Sequence, residues 1–160
     1  GSRDHTALEP YKVQATPTGF IATECRAWQP QASLAAAGGA MIEYTYEVNA
    51  PYTCVLTKIP EGDPAAMRDA IVLFVCQVEP EKSRGWIRMA QSDPASKVED
   101  LIAFQDTIFG QDQPIVESQR PKRLPITPQA PVTEVHSAAD RSSAAYRRYL
   151  REQGITFGVC

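Results

Sequence analysis

Six segments with strand character follow one another along the first 90 residues of the chain, and no helical pattern separates them. They share short polar connections and apolar residues that alternate or run together, rich in branched and aromatic side chains. We place these segments at residues 11–15, 20–28, 41–48, 52–58, 71–78 and 84–90. Parallel strands need long crossovers, whereas short turns join antiparallel neighbours. The sequence therefore predicts a six-stranded antiparallel meander.

The third segment has the clearest alternation. Ile42, Tyr44, Tyr46 and Val48 fall on one face, and polar residues fall on the other. This period of two is typical of a strand with one buried face. We therefore expect both tyrosines to point toward the interior.

One long amphipathic helix is predicted after the sheet, over residues 92–120. Ser92 or Asp93 is placed to cap it, and Pro94 suits its first turn, where the missing N–H costs nothing. Pro114 should make the helix bend or restart, because proline cannot donate to the preceding turn. The apolar stripe of this helix consists of Val98, Leu101, Gln105, Ile108, Phe109, Ile115, Val116 and Gln119.

An acidic residue, Asp112, falls in the middle of this stripe. A buried carboxylate must be paired, hydrogen-bonded or bound to a cation, because desolvating it alone costs several kcal/mol, on the order found for buried ions. From the residues alone, pairing with arginine or lysine ranks first and a metal site stays open. Gln105 and Gln119 are candidate hydrogen-bond partners of Asp112. The histidines, His5 and His136, lie in polar, loop-like contexts typical of surface residues.

A short C-terminal helix completes the predicted α+β fold. A capping box over residues 137–140 precedes Tyr146, Tyr149 and Leu150 at helical spacing, and Gly154 suits the helix end. The proline-rich segment 121–131 should run extended along the surface. The solvated face of this helix is expected to carry Arg141, Arg147, Arg148 and Arg151.

Composition limits the function classes. With 160 residues and 43% hydrophobic content, one domain over residues 1–160 is expected. A net charge of -3 with mixed signs argues against nucleic acid or an anionic membrane as partner, and no apolar run is long enough to span a bilayer. A cytoplasmic location follows as an expectation. The cysteines are widely spaced and are expected to be buried thiols.

Two stretches resemble a known family. The segment FQDTIFGQDQPIVESQRPKRLP, followed by SAADRSSAAYRRYLREQG, is similar to the C-terminal end of the oxygenase component of Rieske non-haem iron oxygenases. Vanillate O-demethylase and dicamba monooxygenase are of this type. The family carries D-x-x-x-(V/I)-(V/I)-E-x-x-R on a long helix. Asp112, Ile115, Val116, Glu117 and Arg120 form a closely similar arrangement, and residues 1–30 resemble the stretch after the family's two-histidine helix.

This resemblance implies a helix-grip, START-like catalytic domain in which Asp112 is the single carboxylate ligand of a mononuclear Fe(II). It further implies a substrate pocket lined by Gln105, Ile108, Phe109, Tyr44 and Tyr46. The parent enzyme would be a mono-oxygenase or ring-hydroxylating oxygenase that hydroxylates or O-demethylates an aromatic or other apolar small molecule in aromatic compound catabolism. Its electrons would come from a reductase or ferredoxin through a [2Fe–2S] cluster.

The sequence also departs from the family, because neither the cysteine and histidine pairs of a Rieske domain nor the two iron histidines occur in it. The chain is therefore expected to be a C-terminal fragment of the oxygenase domain that is inactive alone, with the N-terminal part as its partner. A homotrimer is implied for the parent. The alternatives are a non-catalytic helix-grip module that binds an apolar ligand, and an interaction domain that uses the arginine-bearing helix.

Overall fold

The computed structural model describes residues 9–31, 38–60, 68–91 and 95–160. Within these ranges the six predicted strands form one antiparallel sheet in chain order, so the predicted meander is confirmed. The strands are β1 (Lys12–Thr16), β2 (Gly19–Gln29), β3 (Ala40–Ala50), β4 (Thr53–Pro60), β5 (Asp69–Glu79) and β6 (Lys82–Ala90).

One face of the sheet, called the inner face below, carries the buried side chains of β2 and β3. Ile42 and Val48 alternate with exposed or half-buried neighbours, as the sequence predicts, and Tyr44 is also buried. A β-bulge in β2 places two residues, Thr23 and Glu24, opposite a single residue of β3, Thr45. The extra residue keeps Ala22 and Cys25 on the inner face, and the bulge includes Glu24, whose φ is 61°.

The predicted C-terminal helix is confirmed as α2 (Arg141–Glu152), which follows a short 3₁₀ turn at Ala138–Asp140. The capping box is present, because the Asp140 carboxylate accepts from the Ser137 backbone N–H at 2.8 Å and the Ser137 hydroxyl accepts from the Ala139 N–H at 3.2 Å. Gly154, with a φ of +67°, follows the helix end in the left-handed conformation that glycine tolerates.

The α2 helix covers one end of the inner face. Tyr149 and Leu150 are buried against Phe20 and Val48 in one hydrophobic cluster. The proline-rich segment also contributes Ile126, which is 4% exposed, to this cluster. The prediction that this segment runs along the surface is therefore wrong at that position, since its apolar residues are drawn into the core.

Two of the α2 arginines bind other parts of the protein. Arg147 forms a two-pronged ion pair with the carboxylate of Glu134, with Nη2 to Oε1 at 2.6 Å. Arg141 donates to the backbone carbonyl of Tyr11 at 2.9 Å. The expectation of a fully solvated arginine face is wrong at Arg147, which is half-buried, whereas Arg141, Arg148 and Arg151 are exposed.

The long helix, α1, spans Val98–Ser118 and has Lys97 as its N-terminal cap residue. The expected capping residues 92–94 lie outside the described residues. The helix continues through Pro114 without restarting. All of its 21 residues are partly or largely exposed, Val116 to 69%. The prediction that Asp112 is a buried acid is therefore wrong, because periodicity gives the direction of the stripe but not its distance from the sheet.

The cysteines differ in burial. Each of the four, all within the described part of the chain, is a free thiol; Cys25 is buried, Cys54 and Cys160 are partly exposed, and Cys76 is exposed. The expectation of buried thiols therefore holds only at Cys25. Among the described residues, no helix is both long and apolar enough to cross a lipid bilayer.

We expect Leu150→Ala to lower the free energy of unfolding by about 2–5 kcal/mol, because it removes a large side chain that is 0% exposed and leaves a cavity. Urea unfolding followed by circular dichroism measures this change. Val135→Ala is the control, since Val135 is 95% exposed, and it should shift stability by less than about 0.5 kcal/mol. Equal losses in the two variants would contradict the packing of α2 on the sheet.

Candidate functional site

An open cleft separates α1 from the part of the inner face that α2 leaves uncovered. Its volume is about 680 Å³, within the range typical of small-molecule sites. The sheet supplies an apolar floor, and α1 supplies the opposite wall. The floor includes Leu56, Ile71, Leu73 and Ile87, and the helical wall includes Phe104.

The predicted site residues meet in this cleft. Tyr44 and Tyr46 line it from β3, while Gln105, Ile108, Phe109 and Asp112 line it from α1. They come together because alternate residues of a strand lie on one face of the sheet, and helix residues three or four apart lie on one face of the helix. These two faces border the same cleft. Gln119 does not join them, since its side chain donates to the Ile115 carbonyl at 3.1 Å.

The two tyrosines form a stacked pair on the floor of the cleft. Their ring centroids lie 6.2 Å apart, and their planes are inclined by 21°. Burial raises the pKa of both phenols, that of Tyr46 to about 12, although 37% of the Tyr46 surface stays accessible. A hydrogen bond with Gln29 partly offsets the increase in the Tyr44 pKa. Both hydroxyls therefore remain protonated at neutral pH and can donate hydrogen bonds into the cleft.

Asp112 is the acidic side chain that α1 contributes to the cleft. Non-haem Fe(II) sites commonly combine two histidines with one carboxylate, so Asp112 fits as the carboxylate ligand of such a site. Among the described residues, no three His, Cys, Asp or Glu side chains form a metal-binding group. His136 lies instead beside Glu134, with Nε2 and Oε2 3.6 Å apart, and His5 lies outside the described residues.

Sequence reasoning missed several polar residues of the cleft, namely Gln29, Lys58 and Gln91. Lys58 shares the inner face with Cys54 and Leu56, because alternate residues of β4 lie on the same face of the sheet. That signal was available in the sequence. The position of Gln91 depends on the pairing of β6, which the pattern alone does not fix.

Comparison with known proteins identifies the family. The model of the vanillate O-demethylase oxygenase C-terminal domain matches residues 1–154. This chain belongs to that family. Membership confirms the resemblance that the helix motif indicated.

Among curated relatives, the chain is 37% identical over 161 aligned positions to the probable methylxanthine N7-demethylase NdmC of Pseudomonas sp. (strain TJI-51). That alignment covers 99% of this chain and 56% of the relative. A second relative, methylxanthine N1-demethylase NdmA of Pseudomonas putida, is 38% identical over 79 residues, which cover 48% of this chain and 20% of that protein. The chain thus spans little more than half the length of the longer match.

Solved structures support the fold. NdmA of Pseudomonas putida CBB5 with caffeine superposes with a TM-score of 0.68 at 22% identity, over 93% of this chain and 40% of that one. Its QL mutant with theobromine gives the same TM-score and identity, over 95% and 39% of the two chains. The fold of this chain is therefore one that solved structures already show.

The raised pKa of Tyr46 predicts how the stability of the folded protein changes with pH. In the unfolded chain this phenol ionises near pH 10, whereas in the folded chain it ionises near 12. Between these values the unfolded state binds fewer protons, so stability falls as the pH rises from about 10 to about 12. Absorbance at 295 nm should show a late-titrating tyrosine that Tyr46→Phe removes. A wild-type titration that is complete near pH 10 would contradict this assignment.

Proposed function

We propose that this chain is the C-terminal part of the catalytic domain of a Rieske-type oxygenase that removes a methyl group oxidatively from a small heteroaromatic substrate. The observation that carries the proposal is the meeting of Asp112 with five predicted pocket residues in one cleft. Family membership supports the oxygenase class, and the relatives named as methylxanthine demethylases support the substrate class.

Asp112 is the carboxylate ligand of the iron in this proposal. Mononuclear Fe(II) supplies dioxygen activation when it is bound, and the remaining protein ligands come from the preceding part of the parent protein. The α1 helix suits this role, because side chains on a helix are held in more precise positions than side chains on a loop. The open side of the cleft leaves room for the substrate beside the carboxylate.

The rest of the cleft positions the substrate. The Tyr44 and Tyr46 rings and the side chains of Ile108 and Phe109 offer flat or apolar surfaces to a planar ring. Gln105 offers an amide that donates and accepts hydrogen bonds at a ring edge. Their shared task is to hold one methyl group next to Asp112.

The overall reaction consumes a methylated substrate, one dioxygen, two electrons and two protons. It releases the demethylated substrate, formaldehyde and water. The two electrons come from a reductase or ferredoxin through the [2Fe–2S] cluster of the parent protein. A homotrimeric parent is part of the same proposal.

Asp112→Asn in the complete protein should abolish mononuclear iron binding and demethylation, because an amide is a much weaker iron ligand than a carboxylate. The Rieske signal in the electron paramagnetic resonance spectrum should persist. Asp106→Asn is the matched control, since Asp106 is an exposed acid of the same helix outside the cleft lining. Retention of iron and activity by Asp112→Asn would rule out the proposed ligand.

The substrate class is tested with the complete protein, its reductase and NADH. We expect formaldehyde from 7-methylxanthine, in equal amount to the demethylated product, and much less from vanillate. If vanillate releases formaldehyde and 7-methylxanthine does not, the reaction is O-demethylation instead of the proposed N-demethylation. Tight binding of methylxanthine without turnover by an iron-replete protein would support the non-catalytic binding module instead.

A further inference from the structure

Several polar side chains of the cleft lie along one cross-strand row of the sheet. The strand register places Tyr44 opposite Lys58, and Lys58 opposite Asp69, across β3, β4 and β5. Side chains directly opposite on adjacent strands share a face, so these three point to the same side of the sheet. Gln91, which directly follows β6, also lines the cleft.

The neighbouring row of the inner face is mostly apolar. It consists of Ala22, Tyr46, Leu56, Ile71 and Met89. The cleft therefore has an apolar floor that is bordered on one side by hydrogen-bonding groups. A planar heteroaromatic ring with polar atoms along one edge matches such a division.

Lys58 is the row member with the strongest donor. Its side chain is half-buried on the floor of the cleft. Among the described residues, none is within ion-pair or hydrogen-bond reach of its ammonium group. Placing an ammonium group beside apolar side chains has a desolvation cost, and a substrate oxygen that accepts its hydrogen bond would offset that cost.

Charged groups of both signs lie near Lys58. Asp69 lies opposite Lys58 on the adjacent strand, and Asp112 adds a second carboxylate from α1. Arg26 also borders the cleft, but it is paired with Glu43, with Nε and Oε2 3.7 Å apart. Donation by Lys58 requires only a lone pair on the acceptor, so a ring carbonyl oxygen can take this place.

We propose that Lys58, with Tyr44 beside it, donates hydrogen bonds to a ring carbonyl oxygen of the substrate and so selects lactam-type or imide-type heteroaromatic rings. This inference rests on the proposed function and names the group that sets its specificity. Lys58 acts in binding and orientation, so its removal should raise KM far more than it lowers kcat.

The test compares Lys58→Met with wild type in the complete, iron-loaded protein, using two substrates that differ in ring carbonyls. For 7-methylxanthine, which has two carbonyls, KM should rise about tenfold or more, the scale of a lost hydrogen bond to a charged group. For 7-methylpurine, which has none, KM should be high in both proteins and should not depend on Lys58. Lys58→Arg should recover part of the lost affinity, because it keeps the charge and the donors.

Lys82→Met is the matched control, since Lys82 is exposed at the β5–β6 turn and pairs with Glu79 at 3.5 Å. It should leave both KM values unchanged. An unchanged KM for 7-methylxanthine in Lys58→Met would overturn the inference. A rise confined to a carboxylated substrate such as vanillate would also overturn it, because Lys58 would then select an anion.

These outcomes are separable from failure of the proposed function. If the wild-type protein releases no formaldehyde from any of the three compounds, demethylation is the claim that fails. Calorimetric dissociation constants for 7-methylxanthine then decide the role of Lys58 by themselves. A tenfold weaker Kd in Lys58→Met supports the contact, and an equal Kd removes it.

Discussion

The inner face of the sheet is largely apolar from β2 to β6, and such a surface needs a cover because exposed apolar area opposes folding in water. The chain covers its two ends differently. At one end, α2 packs Tyr149 and Leu150 directly onto Phe20 and Val48. At the other end, α1 lies across a cleft, and its apolar residues remain partly exposed. The first arrangement provides a core, and the second leaves space for a ligand.

The end of the sheet that α2 covers lies next to the open cleft under α1. Tyr11 joins them, because its hydroxyl donates to the Ala139 carbonyl at 2.7 Å and accepts from the Ser142 N–H at 2.9 Å. The same residue borders the cleft. Tyr11 also packs in one hydrophobic cluster with Tyr44, so the packed end is connected to the strand that carries Tyr44 and Tyr46. A binding site built on regular strands keeps its side chains in defined positions.

Much of the fold follows from the sequence, because alternation identifies strands and short polar connections imply antiparallel neighbours. From the same periodicity, Tyr44, Tyr46 and Asp112 were correctly assigned to the faces that border the space between sheet and helix. It did not give the depth of Asp112, since a stripe of apolar residues has the same pattern whether it touches the sheet or faces a cleft. The bulge at Glu24 and the row through Lys58 and Asp69 depend on strand register, which pairing determines and local pattern does not.

Asp112 is central to this account, because its proposed role converts an apolar cleft into an oxygenase site. A crystal structure of the complete protein, with anomalous diffraction recorded on both sides of the iron K-edge, tests that role most directly. The account predicts an iron peak within bonding distance of the Asp112 carboxylate, on the side facing Tyr44 and Tyr46. A fully loaded protein whose only iron peaks lie away from Asp112, or an Asp112 side chain paired with arginine or lysine, would contradict it.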